Sequence, residues 1–277
     1  MFSILKVINI VIPILYIIAL ATVVSTAHVA GYETFLKTMT KENGFFETLS
    51  VVIFMVIFIY GMTTAIKSHK RVSKIALLFI IGFSSIAFLG GMEEISWGQS
   101  LFHFESGEFF LKENLQKETN LHNLIAPTIF SSVIYFSVYT FFIFIPLLYK
   151  LFSSSLQRFK LLRYFDINPH TILVVIFASV FQIYFYNNID TWADMATHLV
   201  ALMVFAYYLW RYPTTIWLKL HYGFIVVATM LSMWSYEVYR FKNMQYEIRE
   251  SFVVLAGLLI FIELIKKEKD EKSSMDN

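Results

Sequence analysis

The chain has 277 residues, of which 57% are hydrophobic and 15% charged, with a formal net charge of +2. A charged share well below the roughly 25% of soluble domains excludes an ordinary soluble fold, and so small a net charge gives no basis for nucleic-acid binding. Cysteine is absent, which removes disulfides, thiolate metal ligands and a cysteine nucleophile, so any metal must be held by His, carboxylate or backbone oxygen.

Apolar runs of the length that crosses hydrocarbon recur at roughly 5–25, 47–66, 75–97, 123–149, 169–187, 192–210, 220–239 and 249–265. They predict an all-α, polytopic transmembrane helix bundle of about eight spans, a single body over 1–265 with no soluble domain. The first run ends near Ser25-Thr26-Ala27 and also fits a signal peptide, whose removal would leave about seven spans. Glu42-Asn43-Gly44-Phe45-Phe46-Glu47 leads into the second run, with Glu47 in its first turn, where a helix N-terminus favours an acid. The third closes on Gly90-Gly91-Met92-Glu93-Glu94-Ile95-Ser96-Trp97-Gly98-Gln99, where the two glycines permit a close helix contact or a break.

The connection 98–122 carries Phe110, Leu111, Asn114 and Leu115 at nearly helical spacing, which predicts a short interfacial helix or a segment dipping back into the bundle. Gln116-Lys117-Glu118-Thr119-Asn120-Leu121-His122-Asn123 opens the fourth run, and its Pro127 and Pro146 predict a tilt or kink. Asp190, Asp194 and His198 stand at a later span, Glu237 ends another, and Glu247 and Glu250 open the last. Residues 266–277 form a charged, frayed tail.

The basic residues orient these spans. With both termini in the cytoplasm, about two thirds of the 22 lysines and arginines fall on the inner side, as the positive-inside rule requires. Trp97, Trp192, Trp210, Trp217 and Trp234 all fall near span ends, where indoles anchor. The expected location is the cytoplasmic (inner) membrane, multi-pass, with the lipid bilayer as the surrounding partner.

In this orientation most of the acids lie at the outer ends, and so do His28, His103, His122 and His198. Polar groups abutting apolar runs are costly in a bilayer, so their recurrence at one depth suggests a shared site. Glu93 and Glu94 point about 100° apart on a helix, so at least one faces the bundle. Glu118 with His122, and Asp194 with His198, are spaced i, i+4 and would share a helix face.

A carboxylate and an imidazole on each of two helices make a divalent-metal template for zinc or a similar ion. The candidate ligands are Glu118, His122, Asp194, His198, Glu247 and Glu250, with Glu93 and Glu94 as catalytic carboxylates, Glu93 as general base. Glu47, Gln99, Gln116, Asn120, Asn123 and Glu237 are the candidates for orienting them. A metal-free polar network among the same residues is the competing reading. Ser96 stands beside the acids, but no Gly-x-Ser-x-Gly pattern or triad spacing accompanies it.

Glu93-Glu94-Ile95-Ser96-Trp97-Gly98-Gln99 followed by Asn120-Leu121-His122-Asn123 resembles a family of bacterial polytopic membrane proteins that carry a Glu-Glu-Ile-Ser-Trp-Gly-Gln segment and a later Asn-Leu-His-Asn. The Glu42 to Glu47 stretch resembles a third motif of that family. The resemblance implies membrane placement and no particular activity.

The same stretch and the late Asp194/His198 pair are similar, more distantly, to the alkaline-ceramidase-like superfamily of seven-span metal-dependent amide hydrolases. That likeness implies zinc held by three histidines with a serine and an aspartate. Here Asp194 stands where the superfamily's late His-x3-His has its first histidine.

Three functions follow as expectations. The first is a membrane-embedded metal-dependent enzyme acting at the outer interface on a lipid or lipid-linked substrate, with metal-bound water as nucleophile. The second is a structural or accessory membrane protein whose polar network locks the outer helix ends. The third is a cation- or proton-coupled transporter, which the rim placement of the acids opposes, since transport sites lie near the midplane.

Overall fold

The computed structural model describes residues 44–69, 72–124, 127–159, 161–182, 189–234 and 242–275, with Ile14, Ile17 and Ile18 of the N-terminal run. The rest of the expected first span, Glu42 and Glu237 lie outside the described residues, as do the side chains of Asp190, Asp194 and Glu247. Among the described residues the chain is helical, with no strand.

Among the described residues, three helices are long and apolar enough to cross a membrane: Phe45–Ser68, Lys74–Glu94 and Val133–Leu151. Pro169–Ala178 and Ile216–Leu231 are apolar but shorter. The predicted runs at 47–66, 75–97 and 123–149 therefore stand as helices with somewhat shifted ends. The chain divides into two compact units, one over Glu42–Phe136 and Gly257–Asn277, the other including Ser137–Ala256.

In the first unit, α1 (Phe45–Ser68) and α2 (Lys74–Glu94) form a hairpin. Ser73 starts α2 by accepting the Ala76 N–H at 3.1 Å, the usual N-cap bond. The hairpin is tight because small residues face each other across it. A Cβ on Gly61 would collide with Ser84 Oγ and come within 2.5 Å of Phe261 Cζ, so only glycine fits. Phe261 in turn stacks on Phe83 at 5.2 Å. Gly90 and Gly91 make the close contact, not the break: Cβ atoms there would meet Phe54 and Met55 of α1, and α2 runs on through Glu94.

Short elements follow, α3 (Gln99–Phe102) and α4 (Glu108–Glu113), before α5 (Pro127–Tyr139). A π-helical turn, Thr140–Phe144, joins α5 to α6 (Ile145–Leu151). Pro146 lies at the start of α6 and has no N–H for the preceding turn, so the helix widens there, in keeping with the predicted kink.

The second unit continues with α7 (Ser153–Leu156), α8 (Pro169–Ala178), α9 (Ile189–Arg211) and α10 (Ile216–Trp234). α8 starts on an Asn168 cap, which accepts the His170 N–H at 2.9 Å, with Pro169 in the first turn. Every residue from His170 to Val180 is buried, as an all-round apolar helix must be. Phe177 lies edge-on to Phe252 at 5.2 Å, and His170 Nδ1 meets His221 Nδ1 at 3.3 Å.

The last helix, α11 (Lys242–Met275), runs beyond the predicted 249–265 and through most of the charged tail, which corrects the expectation of frayed chain. Glu263/Lys267 and Glu268/Lys272 are i, i+4 pairs that favour helix over coil there.

Candidate functional site

Glu93 and Glu94 occupy the last turn of α2, where the helix dipole disfavours an acid. Glu93 is stabilised there by N–H groups from a distant stretch of chain. Its Oε2 accepts from Leu121 N at 2.7 Å and His122 N at 3.0 Å, and faces His122 Nδ1 at 3.3 Å. Its Oε1 accepts the Trp97 indole N–H at 2.5 Å. Leu121 and His122 open a 3₁₀ turn, His122–Leu124, so Glu93 serves as the anionic cap of that turn. Glu94 is half-buried on the same last turn of α2.

Beyond Glu94 the backbone reverses through three consecutive left-handed residues, Ser96 (φ 47), Trp97 (φ 56) and Gly98 (φ 94). Two of these are not glycine, an arrangement that costs on the order of 1–2 kcal/mol per residue. Side-chain bonds offset it. Ser96, almost fully buried, donates to Glu118 Oε2 at 2.5 Å, and Trp97 reaches back to Glu93. Gly98 N closes the turn on Ile95 O at 2.9 Å.

Three further layers hold the loop from Gln99 to Asn123 against this turn. Asn120 donates to both Ser96 Oγ and Glu118 Oε2, each at 3.1 Å. Gln99 Oε1 accepts the Thr119 N–H at 2.8 Å while its amide donates to Ser106 Oγ at 2.9 Å, and Ser106 donates to Lys117 O at 2.7 Å. Asn114 accepts the Gln116 N–H at 2.9 Å and donates to Asn120 O at 2.8 Å, while Asn123 donates to Gln116 Oε1. Ser106, Asn114, Asn120 and Asn123 are all buried. The whole forms a clasp: the Glu-Glu-Ile-Ser-Trp-Gly-Gln segment grips the Asn-Leu-His-Asn segment through side chains that bond one another.

Of the predicted site residues, Glu93, Gln99, Gln116, Glu118, Asn120, His122 and Asn123 thus come together. Glu47 lies half-buried in the first turn of α1 of the same unit. The i, i+4 helical face expected for Glu118 and His122 is corrected. Asn114 is extended (φ −86, ψ 131) and ends α4, and Lys117 turns at φ 60, so Glu118 lies on a non-helical loop. The face expected for Phe110, Leu111, Asn114 and Leu115 is broken at the same point: Asn114 is 4% exposed and Leu115 65%. Asn114 and Ser106 carry much of the clasp and were not among the predicted site residues. A serine or asparagine in a polar loop has no spacing that would reveal it.

Asp194, His198, Glu247 and Glu250 belong to the second unit. His198 is fully buried between two hydroxyls, with Nδ1 at 2.7 Å from Ser179 Oγ and Nε2 at 3.0 Å from Thr229 Oγ1. Both hydroxyls also reach helix carbonyls, Ile176 O at 2.6 Å and Ile225 O at 2.8 Å. A neutral ring has one donor and one acceptor nitrogen, so one hydroxyl turns its proton to the ring. His198 therefore cross-links three elements, and both its nitrogens are engaged.

Among the described residues no three His, Asp or Glu side chains gather closely enough to hold a metal ion. Both Glu93 oxygens face N–H donors, which suits a carboxylate serving those donors rather than a cation. No family model, curated protein or solved structure matches this chain.

Proposed function

We propose that the chain is a multi-pass protein of the cytoplasmic membrane, with about eight spans and both termini cytoplasmic. In this reading it is a structural or accessory membrane protein whose clasp builds a rigid cap at the extracytoplasmic end of α2. The observation that carries it is the Glu93 carboxylate, whose oxygens receive Trp97 Nε1, Leu121 N and His122 N. Such a group organises backbone. The cap it holds presents Phe102 (79% exposed), Leu115 (65%) and Phe109 (60%), which suit the boundary between headgroups and acyl chains.

The test is thermal unfolding of the purified protein in detergent, with bound-metal analysis beside it. Glu93→Gln is expected to lower the unfolding midpoint, and a chelator to leave the wild-type midpoint where it was. A stoichiometric metal whose removal lowers the midpoint, with Glu93→Gln neutral, would replace this reading with the metal-dependent one.

A second reading rests on the imidazole. Glu93 holds His122 by Nδ1, and the His122 side chain stays 31% accessible, the arrangement of an oriented general base or metal ligand. The substrate would be a lipid or lipid-linked molecule reaching the cap from the outer leaflet. A lipid-hydrolysing activity lost in His122→Gln at an unchanged unfolding midpoint would establish it.

A further inference from the structure

We infer that the second unit binds an anionic phospholipid headgroup through three arginine–aromatic pairs at one end of its helices. The pairs are sequence neighbours with the guanidinium lying over the adjacent ring. Arg158 Cζ is 4.9 Å from the Phe159 ring centroid, Arg163 Cζ 5.1 Å from that of Tyr164, and Arg211 Cζ 5.6 Å from that of Tyr212. They are the three such contacts among the described residues, and all stand where α6–α8 and α9–α10 are joined.

One internal bond ties the two connections to each other. The Tyr212 hydroxyl, at the end of α9, donates to Leu151 O at the end of α6 at 2.9 Å. The first connection is folded tightly, with Phe159 N on Leu156 O at 3.0 Å and Leu162 N on Phe159 O at 2.9 Å. A guanidinium resting on an aromatic face is less free than one on a bare stem, and its planar fork matches two phosphate oxygens.

The charge balance is one-sided. From Ser137 to Asn188 and from Tyr212 to Trp234 the sequence has a single carboxylate, Asp166, which Lys150 meets at 2.7 Å. Bases therefore far outnumber acids in the stretches that carry or adjoin the three arginines. Apolar side chains surround them at the same end: Phe152 is 55% exposed, Phe159 48%, Trp210 79% and Trp217 63%. Bases interleaved with exposed aromatic rings are the composition of a membrane-interface surface selective for anionic lipid. A free phosphate would use the arginines but leave these rings in water, so the lipid is the occupant. Its assignment to the inner leaflet rests on the topology proposed above; the headgroup chemistry does not.

The test uses the full chain in nanodiscs with phosphatidylglycerol titrated into phosphatidylcholine in both leaflets, so that orientation does not affect the readout. The unfolding midpoint is expected to rise with phosphatidylglycerol. Each of Arg158→Gln, Arg163→Gln and Arg211→Gln should raise the amount needed for half the effect by about fivefold. Where a variant fails to fold, the wild-type titration repeated at high salt reads the same interaction, since the stabilisation should weaken with ionic strength, and a salt-independent rise would count against it. Equal stabilisation by phosphatidylcholine alone, or by inorganic phosphate added to phosphatidylcholine discs, would overturn the inference, as would variants that respond like wild type. Failure here leaves the clasp reading standing, because the clasp belongs to the other unit.

Discussion

Glu93 Oε2 and His122 Nδ1 lie 3.3 Å apart across 29 residues of sequence, and the same oxygen receives the backbone N–H groups of Leu121 and His122. The carboxylate thus holds both the imidazole and the start of the turn that carries it. It is one of the groups that join the two halves of the clasp.

Replacing Glu93 by Gln keeps the size and one acceptor oxygen but sets an amide N–H₂ against donors. Charge-assisted bonds of this kind contribute about 1.5–3 kcal/mol each, so the variant should lose about 3 kcal/mol of stability. Denaturation in detergent reads this loss directly, and a change below about 0.5 kcal/mol would mean that water already serves those N–H groups.

Ser96 and Glu118 should behave as a coupled pair. With Oγ and Oε2 at 2.5 Å and Asn120 bonded to both, Ser96→Ala, Glu118→Gln and the double variant form a cycle. We expect a coupling of about 1 kcal/mol or more. Additive losses would show that the buried hydroxyl contributes only its volume.

Two glycine comparisons test the backbone. Gly98→Ala places a Cβ at φ 94 and 3.2 Å from Phe102, and should cost about 1–2 kcal/mol, whereas Gly107→Ala, with open space around it, should be near neutral. In the α1–α2 hairpin, Gly61→Ala meets Ser84 and Phe261 and should cost about 1–3 kcal/mol by overpacking. Gly82→Ala meets nothing within 4 Å and should be neutral or slightly stabilising, because alanine is the better helix former.

His198→Ala should be destabilising. It removes a fully buried ring that bridges Ser179 and Thr229, at a cost of about 2–4 kcal/mol from cavity and lost bonds. His198→Gln, which can still reach one hydroxyl, should recover part of the loss. Unchanged unfolding midpoints in both variants would show that the cross-link is dispensable.

The helices were legible because a run of apolar residues long enough to cross a bilayer has few alternatives. α1 and α2 follow the predicted 47–66 and 75–97 closely. The polar motifs were legible as a set, since acids and amides beside apolar runs are conspicuous. Their connectivity was not. The spacing of Glu118 and His122 suggested a helix, but Asn114, bonding Gln116 N and Asn120 O, offers the backbone a better alternative than another helical turn. The clasp depends on left-handed residues at Ser96, Trp97 and Lys117, whose identities do not announce such a conformation. Ser179 and Thr229 escaped notice for a related reason: single hydroxyls in apolar helices become meaningful only when a neighbour's ring arrives.

The most direct test of the clasp is amide hydrogen exchange over the segment from Leu115 to Leu124, measured on wild type and Glu93→Gln with and without a chelator. If Glu93 holds the Leu121 and His122 amides, they are protected in wild type, lose protection in the variant and ignore the chelator. Amides that exchange freely in wild type, or that lose protection on chelation alone, would contradict this role for Glu93.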